Sequence, residues 1–235
     1  MSRERARMAR LLTFFSGTGI MGTPQSKTAD GFERQFGVNH LAHFALTGLL
    51  LSTMVKSSTQ DFQSRVVCLT SAAHRYSSIV FDDFNLAAPG AYEPYRAYGQ
   101  SKTANIWTAN YINRVFGPHG VHGLAVHPGA IWSGLYSNAE PAMLDEWSRN
   151  ADLMSQMQSP EQGAATTIWA ATGRVWEGRG GKYLANCAVG SLTTNTTAIL
   201  STGFGPHAFD VEGENRLWEL SEKLTGVSPS RLIST

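Results

Sequence analysis

Apolar positions along the chain alternate between the spacing of strands and the spacing of helices. Residues 11–15 form a short apolar run ending at Ser-Gly-Thr-Gly, which predicts a strand and a turn. From Asp30 onward, Phe32, Phe36, Leu41, Phe44, Ala45, Leu49 and Met54 recur near helical spacing. Residues 65–69 are a β-branched run with polar Thr70 and Ser71 at its carboxyl end. Residues 77–94 are irregular, marked as turns by Asp82, Asp83, Pro89 and Gly90. A helix over 95–116 is stopped by Gly117-Pro118, and a third strand over 121–126 ends at His127-Pro128-Gly129. Residues 141–157 read as helical, and Pro160 takes the first helical position of another helix reaching about Gly173. Residues 181–185 are a fourth strand, and Asp210 caps a last helix closed by Gly226.

This order predicts an α/β fold with a parallel sheet covered by helices on both faces. Open sheets of that kind take ligands at the carboxyl ends of their strands. Ser-Gly-Thr-Gly, Thr70-Ser71 and Pro128-Gly129 are therefore the places to expect a site. No repeat or linker divides residues 1–235, so one domain is expected, with 1–10 as a leader helix or tail and 227–235 as a C-terminal tail.

Composition narrows the choice of partner. A formal net charge of +1 gives no broad basic face for nucleic acid. Cys68 and Cys187 are far apart and lack metal-ligand spacing, which fits a reducing compartment such as the cytoplasm. No apolar run approaches the roughly 20 residues of a membrane helix, so no membrane span is expected. The Asn195-Thr-Thr acceptor pattern carries little weight without a secretory signal.

Tyr98-Gly-Gln-Ser-Lys102 carries the chemistry. Four residues apart on a helix, phenol and ammonium lie on one face. A neighbouring cation favours the phenolate and makes tyrosine a usable acid or base. By itself the spacing is equally that of a surface pair.

Its company is more specific. Asp30–Phe44 (with Asn39), Ser64–His74, Tyr98–Lys102, Val126-His-Pro-Gly129 and residues 217–224 resemble, in this order, the short-chain dehydrogenase/reductase family. The branch with retinol dehydrogenases and WW-domain oxidoreductases is the most similar. The resemblance implies strands four to seven of a Rossmann-like doubly wound sheet and NAD or NADP as cofactor. It implies Tyr98 as proton donor or acceptor, and Lys102 as the group that lowers the Tyr98 pKa and holds the nicotinamide ribose. Ser71, rather than Thr70, would hydrogen-bond the substrate carbonyl, and Asn39 would support a water relay through Lys102. Pro128, Gly129, Ile131 and Ser133 would meet the nicotinamide end.

The family's glycine-rich Thr-Gly-x-x-x-Gly-x-Gly turn does not occur in the 235 residues. Its Asn-Asn-Ala-Gly motif reads Ser16-Gly-Thr-Gly19, in which only Gly19 matches. Gly17-Thr-Gly-Ile-Met-Gly22 fits G-x-G-x-x-G, but no helix start follows it, so it is read as no phosphate loop. In the family's strand order, the strand at 11–15 becomes an open edge. A homo-oligomer or a partner chain is expected to cover it.

Tyr136, Met143, Leu144, Trp147, Met154 and Met157 suit either a lid over a lipophilic small-molecule substrate or simple helix packing. His40/His43 and His119/His122 lack a third ligand and are read as core or surface histidines, so no metal is expected. The expected activity is interconversion of a carbonyl and an alcohol. A nonredox isomerase or dehydratase, or a noncatalytic binding protein on the same scaffold, are the alternatives.

Overall fold

The computed structural model describes residues 13–17, 19–138, 141–194 and 202–229. The leader at 1–10, the Asn195 acceptor pattern and the tail from 230 lie outside the described residues.

Strands β1 (Thr13–Ser16), β2 (Ser64–Leu69), β3 (Val121–His127), β4 (Tyr183–Ala185) and β5 (Ala188–Val189) form one sheet in that order. The first three pairings are parallel, as expected, and β4–β5 is an antiparallel hairpin. Its two-residue turn, Asn186-Cys187, has φ of 49° and 53°, the doubly left-handed geometry that such turns require. Sequence reading missed β5 because cysteine is a poor signal for that geometry.

Helices cover both faces. Val66, Cys68 and Ala125 point to one face with Phe44, Leu51, Ile106, Ile112 and Trp218. Val67, Leu124 and Val126 point to the other, against Ala170, Ala171 and Trp176. The period-two alternation of wholly buried β3 is what a strand inside a doubly wound sheet produces. β1 is paired on one side only among the described residues.

The helix expected from Asp30 begins later, as α1 (Arg34–Phe36), where the Glu33 carboxylate accepts from the backbone N–H groups of Gln35 and Phe36. A π-helical turn over Gly37–Leu41 then joins it to α2 (Ala42–Ser57). The whole stretch Arg34–Ser57 is long and apolar enough to cross a membrane, contrary to expectation, yet Phe44, Leu51 and Met54 are buried in the core. The central helix α3 (Pro94–Phe116) has Pro94 in its first turn and is capped by Glu93. Gly123 of β3 lets it lie directly on the strand, since a Cβ there would run into the Ala109 backbone. The helix expected over 141–157 is interrupted at Asn150 into α4 (Pro141–Arg149) and α5 (Ala151–Ser155). A capping box of Ser159 and Gln162 starts α6 (Pro160–Thr172). Asp210 caps α7 (Val211–Thr225), which ends at Gly226 with φ of 70°.

Candidate active site

A cleft of about 650 Å³ opens at the carboxyl ends of β2 and β3, where parallel strands leave the sheet. Thr70, Ser71, Tyr98, His127, Pro128 and Gly129 line it, together with Met21, Leu135, Trp147 and Met157. Of the expected site residues, this brings Ser71, Tyr98, Pro128 and Gly129 to one cavity. Lys102 and Asn39 lie behind it, buried. Ile131 and Ser133 follow on the loop beyond, half-buried and exposed respectively.

Tyr98 sits in the second turn of α3, only 3% exposed, with the Ser71 side chain beside its hydroxyl. Ser71 caps a 3-10 turn (Ala72–Tyr76), its Oγ accepting from the Ala73 N–H at 3.2 Å. Thr70 points elsewhere: its Oγ1 donates to the Lys102 carbonyl at 2.8 Å. Ser71 is thus the hydroxyl that meets the phenol.

The expected lowering of the Tyr98 pKa by Lys102 is not what the structure gives. Burial dominates and raises the phenol above its ordinary value, with the neighbouring Ser71 side chain only partly offsetting it. Lys102 Nζ lies 5.4 Å from the centre of the Tyr98 ring and donates to the Leu69 carbonyl at 3.3 Å. Burial pushes its own pKa down to about 8. The pair therefore holds a neutral phenol beside a weakened ammonium, a proton donor rather than a preformed phenolate.

Asn39 occupies the π-turn. Its side chain accepts from the Ile20 N–H and donates to the Ile20 carbonyl, both at 2.9 Å, and also donates to Ser101 Oγ at 3.0 Å. Its backbone carbonyl is hydrogen-bonded by His43 Nδ1 at 2.9 Å. Asn39 thus clamps the chain after β1 onto α3, with no hydrogen bond to Lys102. Gly19 fits closely here: a Cβ would stand 3.1 Å from Asn39 Oδ1 and 3.6 Å from Lys102 Nζ.

The described residues of the G-x-G-x-x-G stretch form no phosphate cradle. The Ile20 N–H is spent on Asn39 and the Gly22 N–H on Gln35 Oε1 at 3.0 Å, and no helix follows Gly22. Gly129, with φ of 91°, turns the chain out of β3, and the Ile131 side chain packs where a Cβ on Gly163 would be. The histidine pairs are occupied locally: His40 with Ser221 Oγ at 2.8 Å, and His122 with Asn113 and Gln63.

Sequence reasoning missed Tyr95, Tyr76, Arg96 and His127 in the cleft wall. Tyr95 precedes Tyr98 by three residues, one helical turn on the same face, and could have been found. Tyr136, Trp147 and Met157 line the cleft as the lid reading expects, whereas the Met143 side chain is outside the described residues.

No family model matches the chain. It is 46% identical over 224 residues to the short-chain dehydrogenase/reductase prx1 of Penicillium roqueforti, covering 95% of this chain and 65% of that protein. It is 34% identical over 218 residues to retinol dehydrogenase 14 of Homo sapiens, covering 93% and 60%. A crystal structure of an uncharacterised protein from Mycobacterium paratuberculosis matches with a TM-score of 0.65 at 31% identity, covering 92% of this chain and 67% of that one. The chain spans about 65% of the length of the first of these relatives.

Proposed function

Because the chain belongs to the short-chain dehydrogenase/reductase family, we propose that it carries the proton-transfer and substrate-binding part of an NAD(P)-dependent oxidoreductase. Its reaction interconverts a carbonyl and an alcohol on a lipophilic small molecule. The observation that carries this reading is the Tyr98–Ser71 hydroxyl pair on the wall of a largely apolar cleft, with the Lys102 ammonium behind it.

In the reductive direction Tyr98 hands its phenolic proton to the substrate oxygen, and in the oxidative direction it takes that proton back. Ser71 donates to the same oxygen and fixes its position. Lys102 steadies the phenolate left behind, which its distance from the ring allows even though it does not lower the resting pKa. Bound NAD(P)H supplies the hydride. Lys102 and the loop of Ile131 and Ser133 suit its nicotinamide-ribose end, where Gly19 leaves room beside Nζ. Ile20 and Gly22 offer nothing to its pyrophosphate, since their N–H groups are already bound within the chain. A second copy or a partner chain covers the side of β1 that is unpaired among the described residues, and a reducing, cytoplasmic setting fits the two free cysteines.

The test is a chimera that places a family glycine turn, with its strands and helices, ahead of β1. It should oxidise NADH or NADPH when given long-chain or isoprenoid aldehydes. A folded chimera that binds cofactor yet turns over no lipophilic aldehyde, ketone or alcohol contradicts the reading.

A further inference from the structure

A second concavity, of about 740 Å³, lies at the opposite end of the sheet from the active-site cleft. Its walls come from the end of α3, the start of β3, the 3-10 turn Arg174–Trp176 after α6, and residues 178–182 ahead of β4. The seven residues of β3 put roughly 20 Å of strand between the two openings. A molecule bound here does not meet Tyr98. The floor is apolar. Trp169 and Trp176 meet edge to face with ring centroids 4.8 Å apart, and Val175 and Val189 on the same wall are 49% and 53% exposed.

Above this floor the charge has one sign. Arg114, Arg179 and Lys182 line the concavity, and among the described residues no Asp or Glu does. A chain with 19 basic and 18 acidic residues gives no general reason for that. Arg114 counts for little, because Glu214 at 3.3 Å and Asn215 at 2.7 Å already hold it. Arg179 and Lys182 are exposed and have no ion-pair partner among the described residues. The segment that carries them is anchored. The Gly181 N–H donates to the Gly123 carbonyl at 2.7 Å and the Arg179 N–H to the Trp176 carbonyl at 3.1 Å. A Cβ on Gly180 would stand 2.6 Å from that Gly123 oxygen, so the chain lies directly on β3. Left-handed φ at Gly178 (65°) and Gly181 (62°) gives the segment its fold.

We propose that this concavity is a second ligand site, which takes a small amphipathic carboxylate. The carboxylate meets Arg179 and Lys182, and the apolar body lies on Trp169, Val175 and Val189. A guanidinium fork matches the two oxygens of a carboxylate. The volume falls in the range of small-molecule sites, about 300–1,000 Å³, which favours a small ligand over a protein partner. A neutral lipophile lacks the head, and a bare anion lacks the body. The proposal does not depend on how the cleft around Ser71 and Tyr98 is read.

The test reads the two openings separately. Indole N–H signals of the 235-residue chain are followed by NMR as octanoate, octan-1-ol and acetate are added. Trp169 reports this site and Trp147 the cleft, each signal being assigned with the Trp→Phe variant. Octanoate should shift the Trp169 signal saturably and bind there roughly tenfold more tightly than octan-1-ol, the yield of two partly exposed ion pairs. Acetate should leave that signal in place. Arg179→Gln combined with Lys182→Gln should remove the preference for the acid, while the alcohol's affinity at Trp169 and the responses at Trp147 stay as in the parent. Equal affinity of acid and alcohol at Trp169, a response at Trp147 alone, or a preference that survives the double substitution overturns the proposal. So does an acetate shift as large as that of octanoate. Should the double variant not fold, added salt decides on the parent: the preference must shrink as sodium chloride screens the two cations, and a preference constant with salt counts against the site.

Discussion

The backbone carbonyl of Ala73 lies so close to Gly99 that a Cβ on the glycine would stand 2.5 Å from its oxygen. Gly99 directly follows Tyr98, and Ala73 lies at the start of the turn that Ser71 caps. The absence of a side chain at Gly99 is therefore what lets the loop after β2 settle on α3 and bring the two hydroxyls together.

Gly99→Ala should push that turn away. Overpacking costs about 1–3 kcal/mol of stability, and displacing a reacting group by about 1 Å can cost on the order of 10²-fold in rate. Turnover in the cofactor-competent chimera and thermal unfolding measure the two effects. Parental turnover in the alanine variant would show that the Ser71–Tyr98 spacing does not matter.

The alternation of strands and helices was legible because β2 and β3 are apolar runs, Pro160 marks a helix start, Gly117-Pro118 marks a helix end and Asp210 caps the last helix. Ser71, Tyr98 and Lys102 were legible from motif and order. The π-turn around Asn39 was not, because one extra residue in a single turn barely disturbs the apolar spacing of a long helix. Nor was the Tyr98 pKa: spacing puts a cation near the phenol, but desolvation outweighs it, and depth of burial is a tertiary property. His127 was passed over as part of the turn signal His-Pro-Gly, since sequence alone does not say which neighbours lack a partner for it.

Lys102 is charged at pH 7 and loses its charge as pH rises through about 8. In the chimera, NADPH affinity should therefore weaken between pH 7 and pH 9. Lys102→Ala should bind weakly throughout, with a flat profile over that range. A parent whose affinity is independent of pH there would remove the ammonium from the ribose site.

Three buried histidines make the fold sensitive to acid. His40 and His74 are pushed down to about 3 and His127 to about 4, chiefly by burial. Their folded values lie below the unfolded value of about 6.5, so the unfolded chain binds more protons as pH falls. Stability is fully present above pH 6.5 and declines below it until the folded values are reached, by up to about 1.4 kcal/mol per pH unit for each histidine. Urea midpoints should drop steeply from pH 6.5 to pH 5. A midpoint that stays constant across that interval would mean these rings are not buried as neutral groups.

The 235-residue chain alone should bind NADH and NADPH no more tightly than about millimolar. A pyrophosphate normally rests on several free N–H groups at a helix N-terminus, and each charge-assisted bond is worth about 1.5–3 kcal/mol. In residues 17–22 the N–H groups of Ile20 and Gly22 are taken by Asn39 and Gln35. Calorimetric titration measures this directly. Micromolar binding would place a phosphate site within the chain or in a second copy of it.

The central claim is that Tyr98 moves the proton, and Tyr98→Phe in the chimera tests it most directly. The substitution removes one buried oxygen and leaves the ring on α3 beside Lys102. Steady-state turnover of a lipophilic aldehyde should fall by at least about 10²-fold, the usual contribution of a general acid, while the unfolding temperature and NADPH affinity stay near those of the parent. Turnover within about tenfold of the parent, a change of only ~1.4 kcal/mol in the barrier, would contradict the account.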